Sequence, residues 1–129
     1  MYSTLPQNNN INIIPIKAFK DNYIWLIEES RNAIIVDPGD ASPVIKELKK
    51  RDADLVSILI THKHYDHIGG VEELINNYPN VQIYGPENID FKFKYKIVKE
   101  GDVVKINRTS VKFYVLETPG HTLDHVVFV

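Results

Sequence analysis

The sequence predicts an α/β (α+β) domain in which a sheet of mixed strands is faced by helices. Three observations predict it. Short apolar strands separated by turn residues begin at about Ile11. Strand–loop–helix units follow, one of them on the nearly unbroken apolar run Leu55–Ile60. Strands then resume, and meander strands mixed with strand–helix units are the pattern of helices packed on a sheet.

Met1 to Asn10 is polar and Asn-rich and reads as a disordered tail, leaving residues 11–129 as the folded domain. Ile11–Lys17 and Tyr23–Glu28 read as strands, and Glu29-Ser30-Arg31-Asn32 turns into a third strand, Ala33–Val36, as in an antiparallel meander. Asp37-Pro38-Gly39-Asp40 breaks the pattern. Ser42 then reads as a helix N-cap with Pro43 at the first helical position, and Val44, Ile45 and Leu48 give the helix to about Arg51 one apolar face. Leu55–Ile60 has the composition of a strand buried on both faces. A second helix, about Val71 to Tyr78, shows Val71, Leu74, Ile75 and Tyr78 on one side and stops at Pro79. Val81–Tyr84, Lys96–Lys99, Val103–Ile106 and Val111–Glu117 read as further strands, and a last one opens at His125. That last strand, His125-Val126-Val127-Phe128-Val129, is apolar to its end, which suggests the N-terminal part of a longer protein; a short edge strand at a true terminus is the plainer alternative.

Composition narrows the function classes. The chain has 129 residues, 43% of them hydrophobic and 25% charged, enough for one domain with a core. A net charge of −2 supplies no field for nucleic acid or an anionic membrane. The densest basic run, Lys46 to Arg51, is interrupted by Glu47 and Leu48 and reads as the solvated face of a helix. With no cysteine there are no disulfides, and metal ligands must be nitrogen or oxygen. No secretory h-region stands near Met1 and no run approaches the ~18 apolar residues of a membrane span, so the cytoplasm is the expected compartment.

All five histidines fall in two short segments. Three lie in Thr61-His62-Lys63-His64-Tyr65-Asp66-His67, between the buried strand and the second helix, and strand carboxyl ends are where α/β sheets place their sites. His62 and His64 are two apart, so an extended segment points both imidazoles the same way. Asp66 and His67 follow where the chain must turn, and can aim at a second point, as in two-metal sites with ions ~3.5–4 Å apart. Gly69-Gly70 permits tight backbone geometry at the return to the helix. Three imidazoles and a carboxylate suit zinc and also accept iron or manganese. A polar loop of merely exposed histidines is the competing reading; four ligand-type residues within six positions disfavour it. Lys63 and Tyr65 alternate with the ligands and point away.

The second segment, Thr118-Pro119-Gly120-His121-Thr122-Leu123-Asp124-His125, again follows a strand. His121 would complete three protein ligands on one ion and leave a position for water, which neutral imidazoles allow to ionise near pH ~7. His125 lies within the next strand and reads as a structural group, or one supporting a ligand from behind, rather than as a ligand. Thr118 and Thr122 either support His121 by hydrogen bonds or only cap the turn. Asp37, in a turn directly after a strand, either orients a metal-binding histidine from behind or simply forms the turn.

Thr-His-x-His-x-Asp-His with a later Thr-Pro-Gly-His-Thr resembles the metallo-β-lactamase superfamily. Within it, the stretch from about Ile11 to Val129 is similar to the glyoxalase II (hydroxyacylglutathione hydrolase) branch. Phe19-Lys20-Asp21-Asn22-Tyr23-Ile24-Trp25, Val36-Asp37-Pro38-Gly39-Asp40 and Val81-Gln82-Ile83-Tyr84-Gly85-Pro86 carry that likeness. The resemblance implies an αββα sandwich, of which this chain would supply about one sheet with its flanking helices and expose an apolar sheet face. It implies that His62, His64 and His121 hold a first divalent ion and Asp66 and His67 a second, zinc before iron or manganese. It also implies hydrolysis of a small-molecule glutathione thioester, S-D-lactoylglutathione, to D-lactate and glutathione by a metal-bound hydroxide that Asp66 helps to position. Substrate-binding residues and oligomeric state stay open.

The family's bridging Asp, its last His ligand and its helical region would follow Val129, and Asp124 stands where the family often has Gly. The 129-residue chain by itself is therefore expected to bind metal weakly, mainly at the first site, and to be inactive. Two alternatives remain. One is another enzyme of the superfamily, a persulfide dioxygenase with a single iron or a lactonase-like hydrolase. The other, if Val129 is a true terminus, is a non-catalytic metal-binding module.

Overall fold

The structure, a computed structural model, describes residues 11–18, 22–61, 68–87, 94–117 and 126–128. Its elements are β1 (Ile11–Ala18), β2 (Asn22–Glu29), β3 (Asn32–Val36), α1 (Ala41–Arg51), β4 (Asp54–Leu59), α2 (Val71–Asn77), β5 (Gln82–Gly85), β6 (Lys96–Ile97), β7 (Val103–Lys105), β8 (Lys112–Glu117) and β9 (Val126–Phe128). The expected tail, residues 1–10, lies outside the described residues.

Strands β1 to β6 form one sheet in sequence order. The first three pair antiparallel, as the meander predicts, and β3, β4, β5 and β6 pair parallel. The β2–β3 turn has positive φ at Ser30 and Arg31, which matches the twist of a tight hairpin. Strands β7, β8 and β9 form a second, antiparallel sheet. The chain thus extends beyond the one sheet expected from its sequence. Alternation of apolar residues says which side chains turn inward, but not which sheet a strand joins.

Two apolar cores follow from the two faces of the first sheet. On β3, Ala33 and Ile35 pack with Val44 and Leu48 of α1 and Val71 and Leu74 of α2. The alternating Ile34 and Val36 pack instead with Val104, Phe113 and Val115 of the second sheet. Strand β4 is likewise buried on both sides, with Leu55 and Ile58 toward the helices and Val56 and Leu59 toward the second sheet. A register shift causes that phase: Ala33 pairs with Leu55 but Ile34 with Ser57, so Val56 is an extra residue. The bulge turns Ile58 and Ile60 toward the helices and sets the direction in which the chain leaves the strand. The second sheet therefore covers the face that a single sheet would have exposed, and on its own outer side Val103, Tyr114 and Leu116 are exposed.

Helix α1 starts earlier than Ser42. Its N-cap is Asp40, in extended backbone, whose Oδ1 accepts from the Ser42 N–H at 3.2 Å. Asp and Ser are comparable caps, and the Asp wins by lying next to the turn. Pro43 then falls third in the helix, still within the first turn where its missing N–H costs no bond. Lys49, Lys50 and Arg51 occupy the last turn, where the helix dipole favours cations. Arg51 bonds Glu47 at 2.7 Å and the buried Glu28 of β2 at 3.1 Å. The Glu47 hydrogen bond raises the guanidinium pKa, with burial opposing it. Among the described residues no helix is long and apolar enough to cross a membrane.

The interior also sets an alkaline limit. Burial raises the pKa of Tyr84, whose hydroxyl donates to Gln82 at 2.9 Å. Burial and then the charge of Asp54 raise that of Tyr78. Below the ordinary tyrosine value of 10.0 both states are protonated and nothing is lost. Above it the unfolded chain releases these protons before the folded chain does, so stability falls as pH rises. Urea midpoints should drop between pH ~9 and ~11, and less so in a Tyr78→Phe/Tyr84→Phe variant; equal drops would assign the effect to other groups.

Candidate metal centre

The end of β4 is held by the turn that follows β3. The parallel register sets Val36 beside Leu59, so the next residues of both strands emerge side by side. The Asp37 N–H donates to the Leu59 carbonyl at 2.9 Å, and the Ile60 N–H to the Tyr84 carbonyl at 2.9 Å. Asp37 itself has φ of 53°, a left-handed conformation that Asp adopts more readily than most residues. Its buried carboxyl group faces Thr61: Oδ1 accepts from the backbone N–H at 2.7 Å and Oδ2 from the hydroxyl at 2.6 Å.

A second tie lies one residue on. The Pro38 carbonyl accepts from the Gly70 N–H at 2.8 Å. Gly70 lies so close to the turn that a Cβ there would meet Ala41 N at 2.4 Å, Asp40 C at 2.7 Å and Pro38 O at 2.8 Å. Gly70 has φ of −96°, open to any residue, so the requirement for glycine is spatial. Asp37 and Pro38 therefore hold both ends of the stretch that carries the first histidine cluster.

Of the site residues expected from the sequence, only Asp37 is described. His62, His64, Asp66, His67, Thr118, His121 and Thr122 lie outside the described residues, as do Tyr65, Asp124 and His125. Among the described residues no group of three or more His, Asp or Glu could hold a metal. The flanking strands nevertheless show where the two histidine segments depart. Arg108, in the β7–β8 turn, bonds Asn32 at the start of β3 and Asp54 at the start of β4, each at 2.8 Å. The Ser110 N–H donates to Glu29 Oε1 at 2.7 Å, and its hydroxyl bonds the same carboxyl group. Strands β4 and β8 thus begin at one end of the sandwich. Each has six residues, about 20 Å, and strands of face-packed sheets stay within ~30° of one another. Leu59 and Glu117 are the far ends of those two strands, and the two histidine segments follow them in sequence. A donor set of imidazoles and a carboxylate fits a divalent ion in ligand type.

Thr61 is the residue that sequence reasoning passes over. It is visible as the first letter of the histidine motif, but its bonds to Asp37 depend on which strands lie adjacent and in what register.

The family model described as Metallo-beta-lactamase superfamily matches residues 19–129. The chain is 46% identical over 114 residues to a hydroxyacylglutathione hydrolase of Buchnera aphidicola subsp. Schizaphis graminum, covering 88% of this chain and 45% of the relative. It is 49% identical over 115 residues to a hydroxyacylglutathione hydrolase of Photobacterium profundum, again covering 88% and 45%. The chain thus spans a little under half the length of these curated relatives. Among solved structures, the B3 metallo-beta-lactamase BLEG-1 superposes with a TM-score of 0.74 over 92% of this chain and 66% of that one; at 22% identity this is a likeness of fold.

Proposed function

The chain belongs to the metallo-β-lactamase superfamily, and on that premise we propose that its two histidine segments form the metal centre of a hydrolase acting on glutathione thioesters. The substrate is S-D-lactoylglutathione and the products are D-lactate and glutathione. The observation that carries the reading is the anchoring of Thr61, the residue before His62, on Asp37, in a fold where Arg108 ties the β7–β8 turn to the start of β4. The relatives named hydroxyacylglutathione hydrolase support the substrate class.

His62, His64 and His121 would hold one divalent ion and Asp66 with His67 a second, zinc being the metal that best suits the set. Ions bound there would supply Lewis-acid activation of water and of the thioester carbonyl. The residues of this chain give that chemistry its geometry. His62 and His64, two apart after β4, would present their imidazoles together if the segment is extended, and His121, which follows β8, would complete the set. Asp66 would help to position the attacking hydroxide. The reaction forms a carbon–oxygen bond from water and breaks the carbon–sulfur bond, and the water's proton ends on the glutathione sulfur or in solvent.

Incubating zinc-loaded protein of the relatives' full length with S-D-lactoylglutathione and following loss of the thioester absorbance and release of free thiol tests this; the 129 residues alone are expected to be inactive. Hydrolysis that stops on chelation and returns with zinc is expected. Zinc-loaded protein that leaves the thioester intact would remove the substrate assignment.

A further inference from the structure

We infer that Pro15 closes the outer edge of β1 and so keeps two copies of this chain from joining their six-stranded sheets. Strand β1 is the end strand of that sheet and, among the described residues, pairs with β2 alone. An end strand presents a row of N–H and C=O groups on which a further strand can form. Length and composition decide how readily that happens. The other end strands of the two sheets are short, with two residues in β6 and three each in β7 and β9. Strands β6 and β7 also carry a lysine each, Lys96 and Lys105. Strand β1 by contrast has eight residues, four of them isoleucine, and no charge before Lys17. Such a stretch has high strand propensity, and a long apolar edge associates unless something interrupts it. The interruption here is Pro15, near the middle of the strand.

The pairing register gives the direction in which it acts. It runs unbroken from Ile11↔Glu29 to Ala18↔Asn22, with Pro15 opposite Trp25. Along a strand the N–H and C=O of one residue point to one side and those of the next residue to the other. Proline has no N–H to give, and an edge strand accommodates it with its nitrogen turned away from the ladder. Ile14 and Ile16 then face β2, and Ile11, Ile13, Pro15 and Lys17 make up the outward row. A joining strand would find no donor at Pro15, and the ring would stand where the N–H should be. A proline that only shapes β1 would leave association untouched.

Pro15→Val separates the two roles. It supplies the missing N–H, suits extended backbone, and disturbs no packing because Pro15 is exposed. Sedimentation equilibrium on the full 129-residue chain gives the association constant, and amide exchange locates the contact. A regained ladder bond is worth a few-fold to about tenfold in association, and a β1–β1 pairing regains one in each copy. We expect Pro15→Val to self-associate more than about tenfold more tightly than wild type. The Ile13 and Lys17 amides should exchange fast in wild type and slowly in the associated variant. Equal association of the two proteins overturns the inference, and so does association that leaves those two amides fast. Slow exchange at Ile13 and Lys17 in monomeric wild type overturns it as well, because the row would then already be covered. If Pro15→Val precipitates or does not fold, Ile13→Pro/Pro15→Val decides, since it restores the block at the neighbouring outward position. A soluble, folded double variant upholds the inference, and one that fails as the single variant does overturns it.

Discussion

In protein of the relatives' full length, His62→Ala and His121→Ala are each expected to strip the first ion and to lower thioester hydrolysis by more than about 100-fold. The bound stands above the ~10–100-fold attached to groups that merely support a ligand, because a lost imidazole removes a bond to the ion itself. Three protein ligands with one open position is the minimum of a catalytic zinc site, and two ligands leave an ion exchangeable with solvent. The two substitutions probe different halves of the geometry. His62 comes directly after Thr61, which the Asp37 tie holds at the end of β4, whereas His121 follows β8 in the other sheet. A matched loss in both variants means that the segments meet on one ion. Zinc content unchanged in His121→Ala would show that the two segments do not share a ligand set. Asp66→Ala and His67→Ala should release the second ion and spare the first, and His125→Ala should leave zinc content unchanged. Metal analysis after gel filtration reads all five.

Much of this arrangement is legible in one dimension, and the rest is not for identifiable reasons. The unbroken run Leu55–Ile60 announces burial on both faces, and β4 does lie between the helix layer and the second sheet. Gly69-Gly70 suggests tight backbone geometry, and Gly70 proves to be the point where no side chain fits. The motif itself, four ligand-type residues in six positions, needs no fold to be noticed. Three features escape because they arise from pairing between distant segments or from near-equal local choices. The extra residue at Val56 is a matter of β3–β4 register. The latch from Arg108 to Asn32 and Asp54 joins segments 76 and 54 residues apart, and nothing local marks it. The N-cap lies at Asp40 rather than Ser42 because the two compete, and their capping energies differ by less than sequence alone resolves.

Gly70→Val is expected to destabilise the fold by about 3 kcal/mol, the upper part of the usual range for overpacking. Gly70→Ala should come close behind. The size follows from what the new carbon meets. All three nearest atoms belong to the backbone of Pro38, Asp40 and Ala41, and the closest would be 2.4 Å away. A crowded side chain can change rotamer, but these atoms can yield only by moving the turn after β3 and the start of α1. That turn carries Asp37, so the displacement reaches Thr61 as well. Gly101 is the internal control. It has φ of +89°, and a Cβ added there would meet nothing within 4 Å, so Gly101→Ala has conformational strain alone, about 1–2 kcal/mol. Urea unfolding of the metal-free chain gives both values, because binding energy is then absent from the comparison. If Gly70→Ala unfolds at the wild-type midpoint, the turn yields freely, and the trailing end of the ligand segment is not held as its contacts imply. If it unfolds early and the destabilised but folded chain also loses zinc affinity, the spacing at Gly70 serves the site as well as the fold.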